Sequence, residues 1–225
     1  LVSPIDAKIS LSRALELQPN HMLARWALAL MPIPLLRKGN NNIDAAREEL
    51  STELASLDLW FENSKIDSAY TSVGISQPFY LAYQEFNNKE LLTLYGSICT
   101  KLMGEYAKQS LLTPIQLTAS KKIRVGIVSH HIHTHSVWDA ITKGLLLNID
   151  QARFEVFIFY VGSYFDDETR LAKSSATFFI SGIKSVDEYS KEIIKRGVEV
   201  LIYPEIGMHA VTMQLASLRL SPLQI

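Results

Sequence analysis

The sequence predicts an α/β protein with an all-α region on its N-terminal side. Up to about residue 120, apolar residues recur at helical spacing, whereas beyond it short β-branched and aromatic runs alternate with helical stretches. Strands that alternate with helices in this way require right-handed crossovers, and therefore a parallel sheet. We expect an all-α region over residues 1–118 and an α/β region over residues 119–225.

Four helices are predicted in the first region. The first ends at Pro19, because the residue before a proline is biased away from the helical conformation. The fourth can begin with a capping box formed by Asn87 and Glu90. The segment Ala14-Leu-Glu-Leu-Gln-Pro-Asn20 resembles the end of a tetratricopeptide repeat, so we expect a repeat-like arrangement. The predicted helices cover residues 5–17, 22–30, 43–61 and 88–108.

After a linker at residues 109–120, the second region alternates strands with helices. The strands are predicted at 123–128, 154–160, 176–180 and 198–203, with a fifth beginning at 223–225. The helices between them are predicted at 135–147, 167–174, 186–196 and 210–218. A parallel sheet binds ligands beyond the carboxyl ends of its strands. We therefore expect functional residues in the loops after Val128, Tyr160, Ile180 and Tyr203.

Composition and charge exclude several classes of function. The formal net charge of −1 argues against broad binding to nucleic acid or to an anionic membrane surface. The longest apolar stretch, residues 22–36, is too short to span a bilayer and contains Arg25 and two prolines. Because Cys99 is the only cysteine, no intrachain disulfide can form, which fits a cytoplasmic protein. The chain starts at Leu1 and stops at Ile225 within an apolar pattern, so we expect a piece of a longer protein.

The loop after the first strand, Ser129-His-His-Ile-His-Thr-His-Ser136, holds four of the six histidines. Histidine moves protons readily near neutral pH, so this loop is a candidate for catalysis, although a polar surface loop has the same pattern. The alternation of His131, His133 and His135 also allows a metal site. No cysteine lies nearby, and Asp139 could equally orient His135, so we expect no metal.

The loop after the fourth strand contributes further candidates. Glu205 could accept a hydrogen bond from a substrate hydroxyl, Gly207 could allow a close approach of the backbone, and His209 is a second polar partner. Each could also be an ordinary turn residue. Arg219 could contact a donor phosphate or pair with a surface acid. The chain contains no Gly-x-Gly-x-x-Gly and no Walker loop, which predicts that any nucleotide is held elsewhere.

Several segments in order resemble the O-GlcNAc transferase and SPINDLY-like proteins of glycosyltransferase family 41. The opening of the catalytic region is similar to Lys122-Ile-Arg-Val-Gly-Ile-Val-Ser129 followed by the histidine-rich loop. The second strand of the family is similar to Phe154-Glu-Val-Phe157. Later segments are similar to Val200-Leu-Ile-Tyr-Pro-Glu-Ile-Gly-Met208 and Leu215-Ala-Ser-Leu-Arg-Leu-Ser-Pro-Leu-Gln224. The helical lead-in of bacterial members is similar to Pro78-Phe-Tyr-Leu-Ala-Tyr-Gln84.

The resemblance implies a GT-B fold, in which two Rossmann-like domains face each other across a cleft. Residues 119–225 would be the first domain, and the second domain, which would hold UDP-GlcNAc or a UDP-hexose without a metal or other cofactor, would be missing. The acceptor would be a serine or threonine of a protein or peptide. The family's histidine after the first strand falls on His135, as a base or a substrate-ordering residue. A helix dipole would keep it neutral and able to accept a proton.

The remaining candidate site residues come from the two loops themselves, and we expect them to contact the substrates: His131, His133, Glu205, Gly207 and His209. The histidine-rich loop and His209 depart from the family pattern, which leaves the donor sugar and the acceptor open. Three other hypotheses stay possible: a relative of the bacterial enzymes that put hexose on asparagine, a non-catalytic helical-repeat interaction module, and an unrelated α/β response or ligand-binding domain. This fragment alone is expected to be inactive.

Overall fold

The computed structural model describes residues 3–33, 42–64, 66–112, 121–182 and 185–225. The chain divides into two compact units, Leu1–Glu105 and Tyr106–Ile225. The domain boundary predicted between residues 118 and 119, and most of the predicted linker, lie outside the described residues.

The first unit is helical, as predicted. Its helices are α1 (Pro4–Leu17), α2 (Met22–Leu30), α3 (Ile43–Ser64) and α4 (Lys89–Gln109), the last of which continues into the second unit, and short 3₁₀ turns lie at Ala69–Ser72 and Phe79–Tyr83. Its core surrounds Trp26, which is fully buried and makes edge-to-face contacts with Phe61 and Tyr95 at 6.0 and 5.7 Å. The repeat-like identity of these helices stays a prediction.

The second unit contains a five-stranded parallel sheet, which confirms the predicted α/β class. The sheet order is β3-β2-β1-β4-β5, and every pair of neighbouring strands is parallel. The third and fourth strands are shorter than predicted. The strands are β1 (Ile123–Ser129), β2 (Phe154–Tyr160), β3 (Phe178–Ile180), β4 (Val200–Ile202) and β5 (Leu223–Gln224).

Helices cover both faces of this sheet. They are α5 (Lys143–Asn148), α6 (Asp167–Ser175), α7 (Val186–Lys195) and α8 (Ala210–Ala216), and a π-helical turn (Trp138–Thr142) leads into α5. One buried cluster joins β1 and β2 to Trp138 and Ala172, and another joins the sheet to Tyr189 and Leu215. Gly126 in β1 faces the second of these clusters closely, because a Cβ there would lie 2.7 Å from the Leu201 side chain.

The strand order creates a crevice between β1 and β4. The chain first moves outward from β1 through β2 to β3, and then crosses back to place β4 and β5 on the other side of β1. The loops that follow the neighbouring strands β1 and β4 therefore run in opposite directions from the sheet. In open parallel sheets this switch point is where ligands bind. Ile225 continues the β5 pairing with β4, accepting a hydrogen bond from the Tyr203 N–H at 2.9 Å.

Among the residues that the structure describes, no helix combines the length and the apolarity that crossing a bilayer requires.

Candidate functional site

Five of the six histidines gather at the switch point. The loop after β1 meets the loop after β4 through His130, whose ring stacks on that of His209 with centroids 4.1 Å apart. A second stack, within the loop after β1, places His131 on His135 at 3.8 Å. His130 and His131 meet edge to face at 5.0 Å and so join the two stacks. The fifth ring, His133, contacts His131 and His135 at 5.6 and 5.7 Å. The structure thus brings together every histidine that the sequence pointed to.

Burial keeps the inner rings of this histidine cluster uncharged. It lowers the pKa of His131 and of His209 to about 4, and the neighbouring imidazoles lower both values further. The pKa of His130 is lowered for the same reasons. The Nδ1 atoms of His130 and His131 are buried without a hydrogen-bond partner among the described residues. At neutral pH, the floor of the crevice is therefore polar but carries no positive charge from these rings.

His135 and His209 hold the same position at the start of a helix. The Nδ1 atom of His135 accepts a hydrogen bond from the Val137 N–H at 3.2 Å, and that of His209 accepts from the Val211 N–H at 3.3 Å. A nitrogen that accepts cannot carry a proton, so the neutral form of each ring holds its hydrogen on Nε2. In that form His135 offers Nε2–H as a donor, and its predicted role as a base or a substrate-ordering residue stays a prediction.

His133 has the opposite orientation. Its Nδ1 atom lies 3.2 Å from the Thr134 carbonyl oxygen, which can only accept a hydrogen bond. The neutral ring therefore holds its hydrogen on Nδ1 and keeps a lone pair on Nε2. The crevice thus offers hydrogen-bond donors at His135 and His209 and an acceptor at His133.

Glu205 lies beneath the histidine loop rather than on its surface. Its side chain is 2% exposed, and its Oε1 accepts the His130 backbone N–H at 2.6 Å, while Oε2 has no hydrogen-bond partner among the described residues. Burial raises the pKa of Glu205 to about 7, against the lowering effect of the His130 N–H and the Ser129 hydroxyl. In this geometry Glu205 supports the loop, whereas its predicted contact with a substrate stays untested.

Gly207 occupies a conformation that favours glycine. Its φ of 94° lies in the region that side chains with a Cβ rarely adopt. The turn that it makes carries the chain from Glu205 to His209, the N-cap of α8. Whether its backbone approaches a ligand stays a prediction.

The loop after β2 supports the site, although the sequence analysis assigned it no site residue. Asp166 Oδ2 accepts both the backbone N–H and the hydroxyl of Thr134, at 2.9 and 2.8 Å. Burial would raise the pKa of Asp166, but the hydrogen bonds from Thr134 and Thr169 outweigh it and hold the pKa far below its ordinary value. The Tyr164 ring contacts His133 at 5.3 Å.

Close packing explains why a glycine, Gly162, occupies a position in the same loop. A Cβ at this position would lie 2.6 Å from the His130 carbonyl oxygen. In the structure Asp166 is also the N-cap of α6, where it forms a capping box with Thr169. The position of Gly162 just after a strand was the one signal of close packing.

Two other predictions concern metals and phosphates. Among the described residues, no group of three or more His, Cys, Asp or Glu side chains is placed to hold a metal ion. Arg219 lies in the connection from α8 to β5 and has a φ of 54°. This connection leads to the amino end of β5. Arg219 therefore lies at the amino ends of the strands, whereas the histidines lie at the carboxyl ends.

No protein-family model matches the chain. No curated protein matches it either. The solved structures that it resembles include a mutant of the Thermobaculum terrenum O-GlcNAc transferase, with a TM-score of 0.52 and 17% sequence identity over 96% of this chain. At this identity the similarity shows the fold, and the chain has an O-GlcNAc transferase-like α/β fold. It spans 39% of the length of that neighbour, so the activity, substrates and partners of the whole protein are matters for proposal.

Proposed function

We propose that this chain forms one wall of the active site of a protein glycosyltransferase. The enzyme would move a sugar, GlcNAc in our first choice, from a UDP-sugar to a serine or threonine hydroxyl of a protein or peptide. The observation that carries the proposal is the convergence of five histidines and a buried glutamate at the β1/β4 switch point. The O-GlcNAc transferase-like fold supports the same class of reaction.

The chemistry of the crevice fits glycosyl transfer. In this reaction the acceptor oxygen attacks the anomeric carbon, and the bond to the diphosphate breaks with its electrons leaving on UDP. Hydrogen-bond donors stabilise the charge that develops on the departing oxygen. His135 and His209 can supply such donors from Nε2, since each Nδ1 is occupied by a helix N–H. His135 is the proposed catalytic residue, and His131, His133, Gly207 and His209 are proposed to contact the substrates.

The remaining parts of the reaction would come from outside these 225 residues. A second α/β domain would hold the uridine and the diphosphate, and no cofactor is required. We propose that residues 1–225 alone do not transfer sugar, and that the helical unit helps to recruit the acceptor protein.

The test is a transfer assay on the complete gene product, read by intact-mass and site-mapping mass spectrometry of acceptor peptides. His135→Asn removes the imidazole but leaves a good helix cap, so the fold should survive while transfer falls by about 100-fold. His21→Asn is the matched control, because His21 also caps a helix through Nδ1, which accepts the Ala24 N–H at the start of α2. Transfer unaffected by His135→Asn would contradict the proposal, and modification of asparagine would assign the acceptor differently.

A further inference from the structure

A second histidine in the loop after β1, His133, is positioned for catalysis, and its hydrogen bonding differs from that of His135. The hydrogen bond from His133 Nδ1 to the Thr134 carbonyl leaves Nε2 with its lone pair. A general base needs such a lone pair within reach of the proton that it removes. His135, whose Nδ1 accepts the Val137 N–H, offers a proton instead.

Thr134 is itself held in place from the neighbouring loop. Its N–H and its hydroxyl both donate to Asp166 Oδ2. Thr169 adds a second tie, because its hydroxyl donates to the Ile132 carbonyl at 2.6 Å. Asp166 therefore holds Thr134, the residue whose carbonyl orients His133. A base oriented by a third group in this way is the arrangement that activates nucleophiles in many transferases and hydrolases.

We propose that His133 is the residue that accepts the proton of the acceptor hydroxyl, and that Asp166 is its positioning residue, acting through Thr134. This inference rests on the proposed function. The hydroxyl proton passes to His133 Nε2 as the oxygen bonds to the anomeric carbon, and the bond to the diphosphate breaks with its electrons leaving on UDP. The imidazolium keeps its Nδ1–H on the Thr134 carbonyl and later returns the proton to water.

The groups that face His133 are consistent with this role. The rings of His131 and His135 contact it from its own loop, and Tyr164 contacts it from the loop after β2. The charge closest along the hydrogen-bond chain is Asp166, beyond Thr134.

The kinetic test compares variants of the complete gene product across pH. His133→Ala should lower kcat by about 100-fold and abolish the acid limb of the kcat/KM profile, and added imidazole should restore part of the activity. His135→Asn should lower kcat but keep the acid limb. An acid limb that survives His133→Ala, or an activity that imidazole does not restore, would overturn the assignment.

The test of positioning uses Asp166→Asn, which keeps a good helix cap but has one acceptor oxygen in place of two. We expect kcat to fall about tenfold with a smaller change in KM. Ser185→Ala is the control, since Ser185 caps a different helix, α7, by accepting the Glu188 N–H, and it should change kcat less than twofold. Equal losses in the two variants would show that Asp166 acts only through stability.

A measurement independent of activity separates this inference from the proposed function. Nitrogen-15 NMR of the imidazoles should find the hydrogen of His133 on Nδ1 and that of His135 on Nε2, and Asp166→Asn should shift only the first. If the wild-type protein transfers no sugar, the proposed function fails, while these tautomers still decide the hydrogen-bond chain. A hydrogen on Nε2 of His133 would refute the proposed hydrogen-bond chain from Asp166 to His133.

Discussion

Glu205→Gln should stabilise the sheet unit at alkaline pH. The Glu205 side chain is almost fully buried and its pKa is about 7, compared with an ordinary value of 4.5. At about 1.4 kcal/mol per pKa unit, this difference corresponds to about 3 kcal/mol. Because the folded-state pKa is the higher one, the folded unit binds the proton more tightly. The stability that Glu205 contributes is therefore present below pH 4.5 and is lost as pH rises through about 7.

Glutamine cannot ionise, and its amide oxygen can still accept the His130 N–H. The Glu205→Gln variant should therefore not lose this stability as pH rises. Between about pH 5 and about pH 8, we expect the wild type to lose about 2.5 kcal/mol of unfolding free energy relative to the variant. His130, His131 and His209 have lowered pKa values and so contribute the opposite slope. Both proteins share these histidines, so the difference between the two curves isolates Glu205.

The assay is native-state hydrogen exchange of the β1 amides at the two pH values, corrected for intrinsic exchange rates. These amides lie in the core of the sheet unit, so their exchange follows the unfolding of that unit whatever the helical unit does. Glu85→Gln makes the same change in charge at an exposed position and should have no effect on them. If the unfolding free energies of the wild type and of Glu205→Gln changed equally with pH, the claim that Glu205 is a buried carboxyl with a raised pKa would be refuted.

Three further predictions concern the loops and the fragment. Gly162→Ala should lower the unfolding free energy by about 1–3 kcal/mol, measured by urea denaturation, because the new Cβ meets the His130 carbonyl; an unchanged midpoint would mean that this contact is absent. Gly207→Ala should cost about 1–2 kcal/mol in the same assay, since its φ is 94°, and a neutral effect would exclude a required positive φ. Isothermal titration of residues 1–225 with UDP should show no tight binding, and tight binding would contradict a nucleotide site located elsewhere.

Hydrophobic periodicity was sufficient to predict the order of the elements. Apolar strand runs such as Phe154–Tyr160 and stop signals such as Pro19 after the first helix are local, and the structure agrees with them closely. The same local rules placed the functional loops at the carboxyl ends of the strands. The order β3-β2-β1-β4-β5 depends on crossovers between distant segments, so the sequence could not identify β1 and β4 as neighbours.

The chemistry within the site depended on contacts that sequence spacing does not encode. Four histidines close together in the sequence predicted a polar loop, but the different hydrogen bonds of His133 and His135 follow from backbone geometry alone. Glu205 could be proposed as a hydrogen-bond acceptor, yet its burial beneath His130 arises from the pairing of two separate loops. Asp166 could be recognised as a helix cap, whereas its second partner, Thr134, lies 32 residues away.

The most direct test of the glycosyltransferase assignment is a structure of the complete protein with a non-hydrolysable UDP-sugar analogue and an acceptor peptide. We predict that the anomeric carbon lies over the β1/β4 switch point, with His135 Nε2 within about 3 Å of a substrate oxygen. The assignment would be contradicted if the sugar bound at the amino ends of the strands, near Arg219, or if another part of the protein closed the histidine crevice.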